Sequence, residues 1–326
     1  MALLNVADLT IAFPRATPVR GLSFSVNPRE TVALVGESGS GKSLTALALL
    51  GLLPSGARIA SGRVAFAGRD LTALKDRDLR AVRGRDIAMI FQEPMTSLNP
   101  VLTLGDQITE VVRLHQGLSR AAAKRRAVEL LDLVRIPEPQ RRVDEHPHQL
   151  SGGMRQRVMI AIAVACSPKL LIADEPTTAL DVTIQKQILD LLVRLQKERG
   201  MALILITHDM GVVAETAQRV AVMYAGQLAE TRPVADLFAR PRHPYTGALL
   251  DALPERALGK RRLPTIPGMV PGIADRPAGC LFSPRCRFAT DRCRAERPAL
   301  LDVDNGRARC FYPLPDGQVA AEGAIQ

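Results

Sequence analysis

The chain has 326 residues, 47% of them hydrophobic and 23% charged, which is typical of a globular protein with one large or two modest domains. The formal net charge of +10 favours an anionic partner, either nucleic acid or the inner leaflet of a membrane. Aromatic residues make up only 3% and tryptophan is absent, which argues against a platform for stacking nucleic-acid bases.

We expect no secretory leader, because the N-terminus lacks a basic segment followed by an apolar run. The best candidate for a membrane span, residues 158–173, is interrupted by Pro168 and Lys169. The chain is therefore expected to be cytoplasmic, and any role at a membrane is expected to come through partner subunits.

The first part of the chain predicts an antiparallel β edge followed by a buried strand. Leu3–Phe13 and Leu22–Val26 alternate apolar and polar residues, which indicates half-buried strands. Thr31–Val35 is short, apolar and β-branched, as expected of a strand inside a core sheet. The Leu- and Ala-rich segment 44–53 then predicts a helix that opens at Lys42–Ser43. The Gly-, Pro- and Ser-rich stretch 51–62 indicates a connection, and 63–67 a strand.

Between that strand and that helix lies Gly36–Ser43, which matches the phosphate-binding pattern G-x-x-x-x-G-K-[S/T]. Glycines let successive backbone N–H groups point at one concave site, and the helix N-terminus adds its positive dipole end. Lys42 would reach the β- and γ-phosphates, and Ser43 would ligate Mg²⁺. A Gly/Ser turn with a chance lysine is the alternative, which the flanking strand and helix oppose. The expected nucleotide contacts are Gly36, Ser38, Gly39, Ser40, Gly41, Lys42, Ser43 and Leu44.

Helical periodicity dominates from Glu93 to about Val164 and predicts an all-helical subdomain inserted into an α/β core. A short apolar strand, Ile87–Phe91, precedes the segment and ends at Gln92. The expected helices of the subdomain are 104–114, 119–134 and 152–164.

A second diagnostic stretch is Lys169–Glu175, an apolar strand that ends in two carboxylates. A helix over 184–198 and strands over 202–206 and 220–224 are predicted to follow. Because strands alternate with helices, we expect a mostly parallel sheet with functional groups at the carboxyl ends of its strands.

Five residues at strand ends are candidates for nucleotide chemistry. Asp174 is expected to hold Mg²⁺ through water, and Glu175 to polarise the attacking water. Gln92 can reach Mg²⁺ or that water, and His208 can contact the γ-phosphate. Phe13 can stack on adenine. Taken singly, each has an ordinary alternative as a solvated acid, a polar strand end or a core aromatic residue.

A second anion site is predicted where a helix begins, at Ser151 with Gly152 and Gly153. One chain has no need of two γ-phosphate sites for one nucleotide. We therefore expect this site to close on ATP held by another chain. An N-capped helix that starts with glycine is the alternative.

In order and spacing these motifs resemble those of ABC-transporter ATPases. Gly36–Ser43, Gln92, Leu150–Gln156, Leu170–Asp181 and His208 look like the Walker A, Q-loop, signature, Walker B/D-loop and H-loop motifs. The resemblance implies an α/β, ABC-type P-loop nucleotide-binding domain: a RecA-like core with an antiparallel β edge and an inserted helical subdomain.

The same resemblance implies a mechanism, in which two nucleotide-binding domains sandwich two ATP molecules head to tail. Asp181 of the D-loop, with Ser151, Gly152 and Gly153, would lie at that contact. Closure would pull on membrane subunits, and hydrolysis would reset them. Met154 departs from the commonest signature, which has Gln there.

A narrower resemblance, carried by Met89–Pro100, His243–Thr246 and Ala289–Glu296, is to the ATPases of dipeptide and oligopeptide importers. It implies a paralogous second ATPase, two transmembrane permease subunits and, indirectly, a periplasmic peptide-binding protein, with no nucleic acid. The chain would then be peripheral, on the cytoplasmic face of the inner membrane. An ABC-family ATPase acting on nucleic acid or ribosomes is the alternative, which the scarcity of aromatic residues disfavours.

The expected domains are an ATPase domain over 1–240, with 93–165 as the helical insertion, and a C-terminal extension over 241–326. The extension carries Cys280, Cys286, Cys293 and Cys310, with gaps of five, six and sixteen residues. The stretch 280–310 is expected to be loop-like and, because it has few large apolar residues, to be ordered by a bound metal centre. Four thiolates could bind zinc or a [4Fe–4S] cluster. The gaps are wider than the short pairs of structural zinc sites, so a cluster is favoured and zinc is the alternative. The importer resemblance also implies a cluster.

Overall fold

The computed structural model describes residues 2–93, 97–178, 180–254 and 264–315. Residues 94–96 of the importer-like stretch and residue 179 of the D-loop stretch lie outside the described residues. The chain divides into two compact units, each assembled from separate stretches of sequence. The first contains residues 1–3, 26–31 and 67–206, and the second contains 4–25, 32–66 and 207–326.

The described residues form both strands and helices. The strands are β1 (Leu4–Phe13), β2 (Ala16–Val26), β3 (Thr31–Val35), β4 (Arg58–Phe66), β5 (Arg69–Asp70), β6 (Ile87–Ile90), β7 (Leu170–Asp174), β8 (Ala202–Ile206), β9 (Arg219–Tyr224), β10 (Gln227–Pro233), β11 (Leu301–Val303) and β12 (Gly306–Ala308). The helices are α1 (Lys42–Leu49), α2 (Asp76–Val82), α3 (Leu104–Gln116), α4 (Arg120–Leu133), α5 (Pro139–Arg142), α6 (Gly152–Val164), α7 (Val182–Arg199), α8 (Met210–Thr216), α9 (Val234–Ala239), α10 (Pro244–Asp251) and α11 (Asp291–Ala295). None of these described helices is long and apolar enough to cross a bilayer.

The first unit is built on three parallel strands, with β7 paired to β6 on one side and to β8 on the other. The register places Ile87 opposite Leu170 and Asp174 opposite Ile206. Every residue of β7 and β8 is buried, as expected of strands covered on both faces. The strands therefore end together, with the carboxylate of Asp174 at the carboxyl edge.

The predicted helical subdomain is confirmed, and side-chain caps set where its helices begin. The side-chain oxygens of Thr103, Ser119 and Ser151 each accept a hydrogen bond from the backbone N–H three residues on, at 3.1, 3.3 and 3.4 Å. Apolar residues of α3, α4 and α6 face one another in the interior; they include Ile108, Val112, Ala127, Leu130 and Ile160.

An antiparallel edge in the second unit confirms the expected strands, with β1 paired to β4 from Leu4 opposite Phe66 to Ala12 opposite Arg58. Strand β4 begins at Arg58, within a stretch whose Gly and Ser content had indicated a connection. Gly62 has a φ of +91°, and the β1–β4 register shifts nearby. A glycine bulge therefore conceals the first half of this strand in the sequence.

Five strands of the second unit pair in the order β3-β9-β10-β12-β11. Strand β3 runs parallel to β9, and β9 is antiparallel to β10. The C-terminal hairpin β11–β12 then adds to β10, with Glu230 opposite Ala308. The expectation of a loop-like tail over 280–310 is therefore wrong for residues 301–308, which continue the sheet, whereas most of 280–300 has no regular secondary structure apart from α11.

The C-terminal residues also share a hydrophobic core with that sheet. Tyr245, Leu281 and Phe282 belong to the same buried cluster as Val35 and Tyr224. The ring centroids of Tyr224 and Phe282 are 5.2 Å apart, and those of Tyr245 and Phe282 are 5.3 Å apart. The tail had been expected to need a bound metal centre to be ordered. Packing on the sheet supplies that order instead.

His243 is buried at the start of α10 and is held there as a neutral imidazole. Its Nδ1 accepts a hydrogen bond of 3.0 Å from the backbone N–H of Tyr245, which caps the helix. Burial lowers the pKa of His243 to about 4, and the charge of Arg309 acts in the same direction, whereas a hydrogen bond to the Arg309 backbone opposes the shift. In the unfolded chain this pKa returns to its ordinary value.

The stability of the second unit should therefore fall in acid. Between pH 7 and pH 5, His243 becomes protonated in the unfolded chain but stays neutral in the folded one. The unfolded state is thereby stabilised, so the free energy of unfolding should fall by about 2 kcal/mol. Urea unfolding at both pH values checks this. The variant His243→Asn keeps a side-chain cap and does not titrate, so its loss should be smaller by about that amount; an equal loss in both proteins would contradict the assignment.

Candidate nucleotide-binding site

The phosphate loop connects β3 to α1 in the second unit, in a conformation that requires glycine. Gly36, Gly39 and Gly41 have φ values of +147°, +78° and +97°. A Cβ at Gly36 would lie 2.2 Å from the backbone oxygen of Met223, and one at Gly41 would lie 2.8 Å from Val19 Cγ2. The loop therefore packs against the neighbouring backbone and keeps a concave path.

Lys42 brings a buried positive charge into this loop. Its side chain is buried, and its Nζ donates to the backbone oxygens of Gly36 at 2.7 Å and Glu37 at 3.1 Å. It also reaches Ser40 Oγ at 3.4 Å. Helix α1 begins at this lysine, and its N-cap, Gly41, offers no side-chain cap. The ammonium group, the first-turn N–H groups and the glycine backbone together fit a nucleotide phosphate chain.

The other predicted positions of the loop are placed consistently with that use. Ser38 and Gly39 are exposed, Ser40 is buried, and Ser43 and Leu44 are half-buried in the first turn of α1. A hydroxyl at the start of the helix is a suitable Mg²⁺ ligand beside bound phosphates.

Two further predicted residues belong to the second unit. Phe13 ends β1 and lines an open cavity of about 850 Å³, together with Arg20 and Arg276. His208 is exposed, in the turn after Thr207. That turn is fixed by Asp209, whose carboxylate caps α8 by accepting hydrogen bonds from Gly211 N and Val212 N.

In the first unit the structure brings Gln92 and Glu175 together. They follow the adjacent strands β6 and β7, and Gln92 Nε2 donates to Glu175 Oε2 at 3.2 Å. Thr178 Oγ1 donates to the same oxygen at 3.0 Å. Glu175 has a φ of +45°, and its N–H donates to Ile206 O at 2.9 Å. Asp174, one residue earlier, is 3% exposed at the end of β7.

Thr178 is a residue that sequence reasoning missed. Its only signal is its place three residues after the acidic pair, within Glu175-Pro176-Thr177-Thr178. A strand-to-turn connection of this length lets its hydroxyl turn back to the carboxylate. Glu175 is thereby oriented by two neutral donors that meet at the same oxygen, Oε2.

The second predicted anion site, also in the first unit, lies beside the N-terminus of another helix. Ser151 caps α6, and Asp181 caps α7 by accepting from Ile184 N at 3.0 Å. A Cβ on Gly153 would lie 2.7 Å from Ile184 Cγ2, so only glycine permits this approach. The departure from the usual signature, Met154, is half-buried in the first turn. Ser151 and Gly152 stay exposed.

Similarity to known proteins assigns this arrangement to a family. A family model described as "ABC transporter" matches residues 19–178. The chain is 55% identical to "Dipeptide transport ATP-binding protein DppD" of Escherichia coli over 97% of this chain and 98% of that protein. The chain belongs to the ABC transporter family.

Further matches extend the family assignment over the rest of the chain. The C-terminal part, residues 229–293, matches a model described as "Oligopeptide/dipeptide transporter, C-terminal region". The chain is also 52% identical to the protein of the same name from Haemophilus influenzae, over 96% of each chain.

The solved structures of the family share the ATPase fold. One is the dimeric post-hydrolysis state of the ATP-binding cassette MJ0796 bound to ADP and Pi, with a TM-score of 0.64 and 27% identity. The match covers 71% of this chain and 98% of that one. The chain is thus an ABC ATPase subunit, for which ATP and Mg²⁺ are implied.

The prediction of a [4Fe–4S] cluster on Cys280, Cys286, Cys293 and Cys310 is wrong. Among the residues that the structure describes, no group of three or more His, Cys, Asp or Glu side chains is arranged to hold a metal ion. All four of these thiols are free. The same finding contradicts the zinc alternative. The gaps between the cysteines in the sequence favoured a cluster, but they do not determine how the thiols are arranged in space.

The surroundings of these thiols are those of core residues. Burial raises the pKa of Cys286 to about 11 and that of Cys310 to about 12, so both are protonated near neutral pH. Burial also raises the pKa of Cys280. They line a cavity of about 20 Å³ that Phe282 and other aromatic side chains enclose. Small apolar thiols pack there in the way core residues do.

The glycine requirement of the phosphate loop can be tested without nucleotide. Replacing Gly36 with Ala should lower the unfolding free energy by about 3 kcal/mol, because the new Cβ would overlap the Met223 backbone and the φ is left-handed. Gly39→Ala is the matched control, since its Cβ would meet nothing within 4 Å. It should cost only about 1 kcal/mol of backbone strain. Similar urea-unfolding midpoints for the two variants would contradict this description of the loop.

Proposed function

We propose that this chain is the ATP-hydrolysing, energy-coupling subunit of a bacterial ABC importer for dipeptides or oligopeptides. One observation carries the proposal: similarity extends over nearly the whole length of the named dipeptide-transport proteins and includes the transporter-specific C-terminal region. The comparisons give no support to the alternative of an ATPase acting on nucleic acid or ribosomes. We assign the ATPase domain to 1–240, with 93–165 as the helical insertion, and the extension to 241–326.

Nucleotide binding is assigned to the loop described above, with Lys42 and the start of α1 holding the phosphates. Ser38, Gly39 and Ser40 would donate from the loop, and Leu44 from the first turn of α1. Phe13 would stack on the adenine ring. This assignment is supported by the glycine conformation and by the buried ammonium group of Lys42.

Hydrolysis is assigned to the polar groups that follow β6, β7 and β8. Ser43, Gln92 and Asp174 would hold Mg²⁺, which when bound neutralises charge on the phosphate oxygens. Glu175 would accept a proton from the attacking water. Gln92 and Thr178 keep its carboxylate oriented through one oxygen. His208 would contact the γ-phosphate.

The remaining site residues are assigned to a neighbouring subunit's nucleotide. Ser151, Gly152, Gly153 and Asp181 would contact ATP held by a second, paralogous ATPase. The dimeric MJ0796 cassette supports a paired arrangement. The pair would drive two transmembrane permease subunits, supplied by a periplasmic peptide-binding protein. The chain would then be peripheral on the cytoplasmic face of the inner membrane.

The assignment of Glu175 predicts a separation of binding from hydrolysis. Glu175→Gln keeps the shape and the hydrogen-bond acceptor but removes the base, so ATP turnover should fall by about 100-fold or more while Mg-ATP still binds. Phosphate release and equilibrium binding are the measurements. Glu198→Gln, at an exposed position of α7, is the control and should retain turnover. Undiminished turnover in Glu175→Gln would remove Glu175 from the catalytic role.

The transport function predicts a loss of peptide uptake. Cells that lack this chain should not accumulate a radiolabelled dipeptide by this route, and the wild-type chain should restore uptake. The Glu175→Gln chain, expressed at the same level, should not restore it, because closure without hydrolysis cannot be reset. Unchanged dipeptide and oligopeptide uptake in the deletion strain would refute the proposed cargo.

A further inference from the structure

Within the second unit, an ion pair joins the C-terminal region to the phosphate loop. The guanidinium of Arg285 donates two hydrogen bonds to the carboxylate of Glu37, from Nη1 to Oε2 at 2.7 Å and from Nη2 to Oε1 at 2.9 Å. The Arg285 side chain is 5% exposed and that of Glu37 is 31% exposed. Two-pronged contacts of this kind are directional, so they fix orientation as well as distance.

The backbone of Glu37 is held as well as its side chain. Its N–H donates to the hydroxyl of Tyr245 at 3.0 Å, and its carbonyl accepts from Lys42 Nζ at 3.1 Å. Glu37 is the residue between Gly36 and Ser38, at the entrance of the loop. The same carbonyl accepts from Ser40 N at 3.2 Å, so two of the four partners of Glu37, Arg285 and Tyr245, come from the region that follows the ATPase motifs.

Arg285 is itself braced from several sides. Its Nη1 also donates to Tyr224 Oη at 3.3 Å, and its Cζ lies 5.8 Å from the centroid of that ring. Its Nε donates to the Pro267 carbonyl at 2.8 Å, and its Nη2 to that of Ile266 at 3.3 Å. The hydrogen bond to Glu37 raises the pKa of Arg285 further above its ordinary value. A buried cation with this many partners is a rigid anchor rather than a solvated surface group.

We propose that Arg285 and Tyr245 are positioning residues for nucleotide binding: the C-terminal region holds Glu37 so that the phosphate loop is preset for its ligand. The inference rests on the proposed ATP-binding function. It assigns to the extension a direct effect on nucleotide affinity, which packing on the sheet alone would not produce. Because affinity depends on how well donors are pre-aligned, loosening one end of the loop should weaken phosphate binding.

A contact that only stabilises the fold would behave differently from a positioning contact. Loss of a stabilising contact lowers thermal stability and the fraction of protein able to bind nucleotide. Loss of a positioning contact weakens the nucleotide affinity of every binding site. Isothermal titration separates the two cases, because stoichiometry reports the competent fraction and Kd reports the site. Mg-ADP is the suitable probe. Its α- and β-phosphates would bind in the loop, and it lacks the γ-phosphate that hydrolysis removes.

The variants are made in the full chain and compared with a matched control. Arg285→Gln should raise the Kd for Mg-ADP about tenfold at unchanged stoichiometry. Arg285→Lys keeps the charge but not the two-pronged geometry and should be intermediate. Tyr245→Phe keeps the ring and removes the hydroxyl, so it should raise Kd about threefold. Arg294→Gln breaks an exposed ion pair with Asp291 in the same region and should stay within twofold of wild type.

The results for the wild-type chain test the proposed function, and those for the variants test the positioning role. If wild-type chain does not bind Mg-ADP, the proposed function fails rather than this inference. If Arg285→Gln has a lower Tm but a Kd within twofold of wild type, the contact is only structural and the inference is overturned. If Arg285→Gln does not fold, Arg285→Lys and Tyr245→Phe decide by the same criterion, with an unchanged Kd in both counting against the positioning role.

Discussion

The burial of Tyr224, Tyr245 and Phe282 against one another is the interaction on which the second unit depends. Each ring is at most 3% exposed, and burying a side chain of this size contributes roughly 1.5–3 kcal/mol. Tyr224 ends strand β9, Tyr245 lies in α10, and Phe282 lies in the segment after it. One apolar cluster therefore fixes three parts of the chain that are far apart in sequence.

Polar groups around that cluster fix the position of α10 relative to strand β10. The carboxylate of Glu230, fully buried in β10, accepts hydrogen bonds from the backbone N–H groups of Arg242 and His243 at 2.8 and 2.9 Å. These bonds place the start of α10, and the neutral imidazole of His243 then caps it. A buried carboxylate with such partners is costly to leave unpaired, so it selects one arrangement over others.

Local patterns predicted the elements that carry the motifs. Thr31–Val35, Ala202–Ile206 and Gly152–Val164 were predicted with the observed bounds, because a continuous apolar run or a capped apolar helix identifies itself within a few residues. The first half of strand β4 and the hairpin β11–β12 were not predicted. Their short, glycine-containing and exposed segments become strands only by pairing with β1 and β10, which is information that local sequence does not contain.

The site follows the same division. Residue type and spacing identified the phosphate loop, and strand order explains why Gln92 meets Glu175. Neither Thr178 nor Arg285 was identified, since a hydroxyl three residues along and an arginine 248 positions from Glu37 have no local signature. The prediction from the cysteines failed for a related reason: spacing along a chain does not determine how thiols are arranged in space, and among the described residues they form no metal-holding group.

The pairing of β12 with β10 also has a bearing on solubility. Without the hairpin, β10 would present unsatisfied backbone N–H and C=O groups, beside the mostly apolar stretch Leu228–Ala229. Exposed strand edges of this kind pair with strands of other molecules. The hairpin β11–β12 thus protects β10 against self-association, and products of incomplete synthesis that end before residue 301 would lack it.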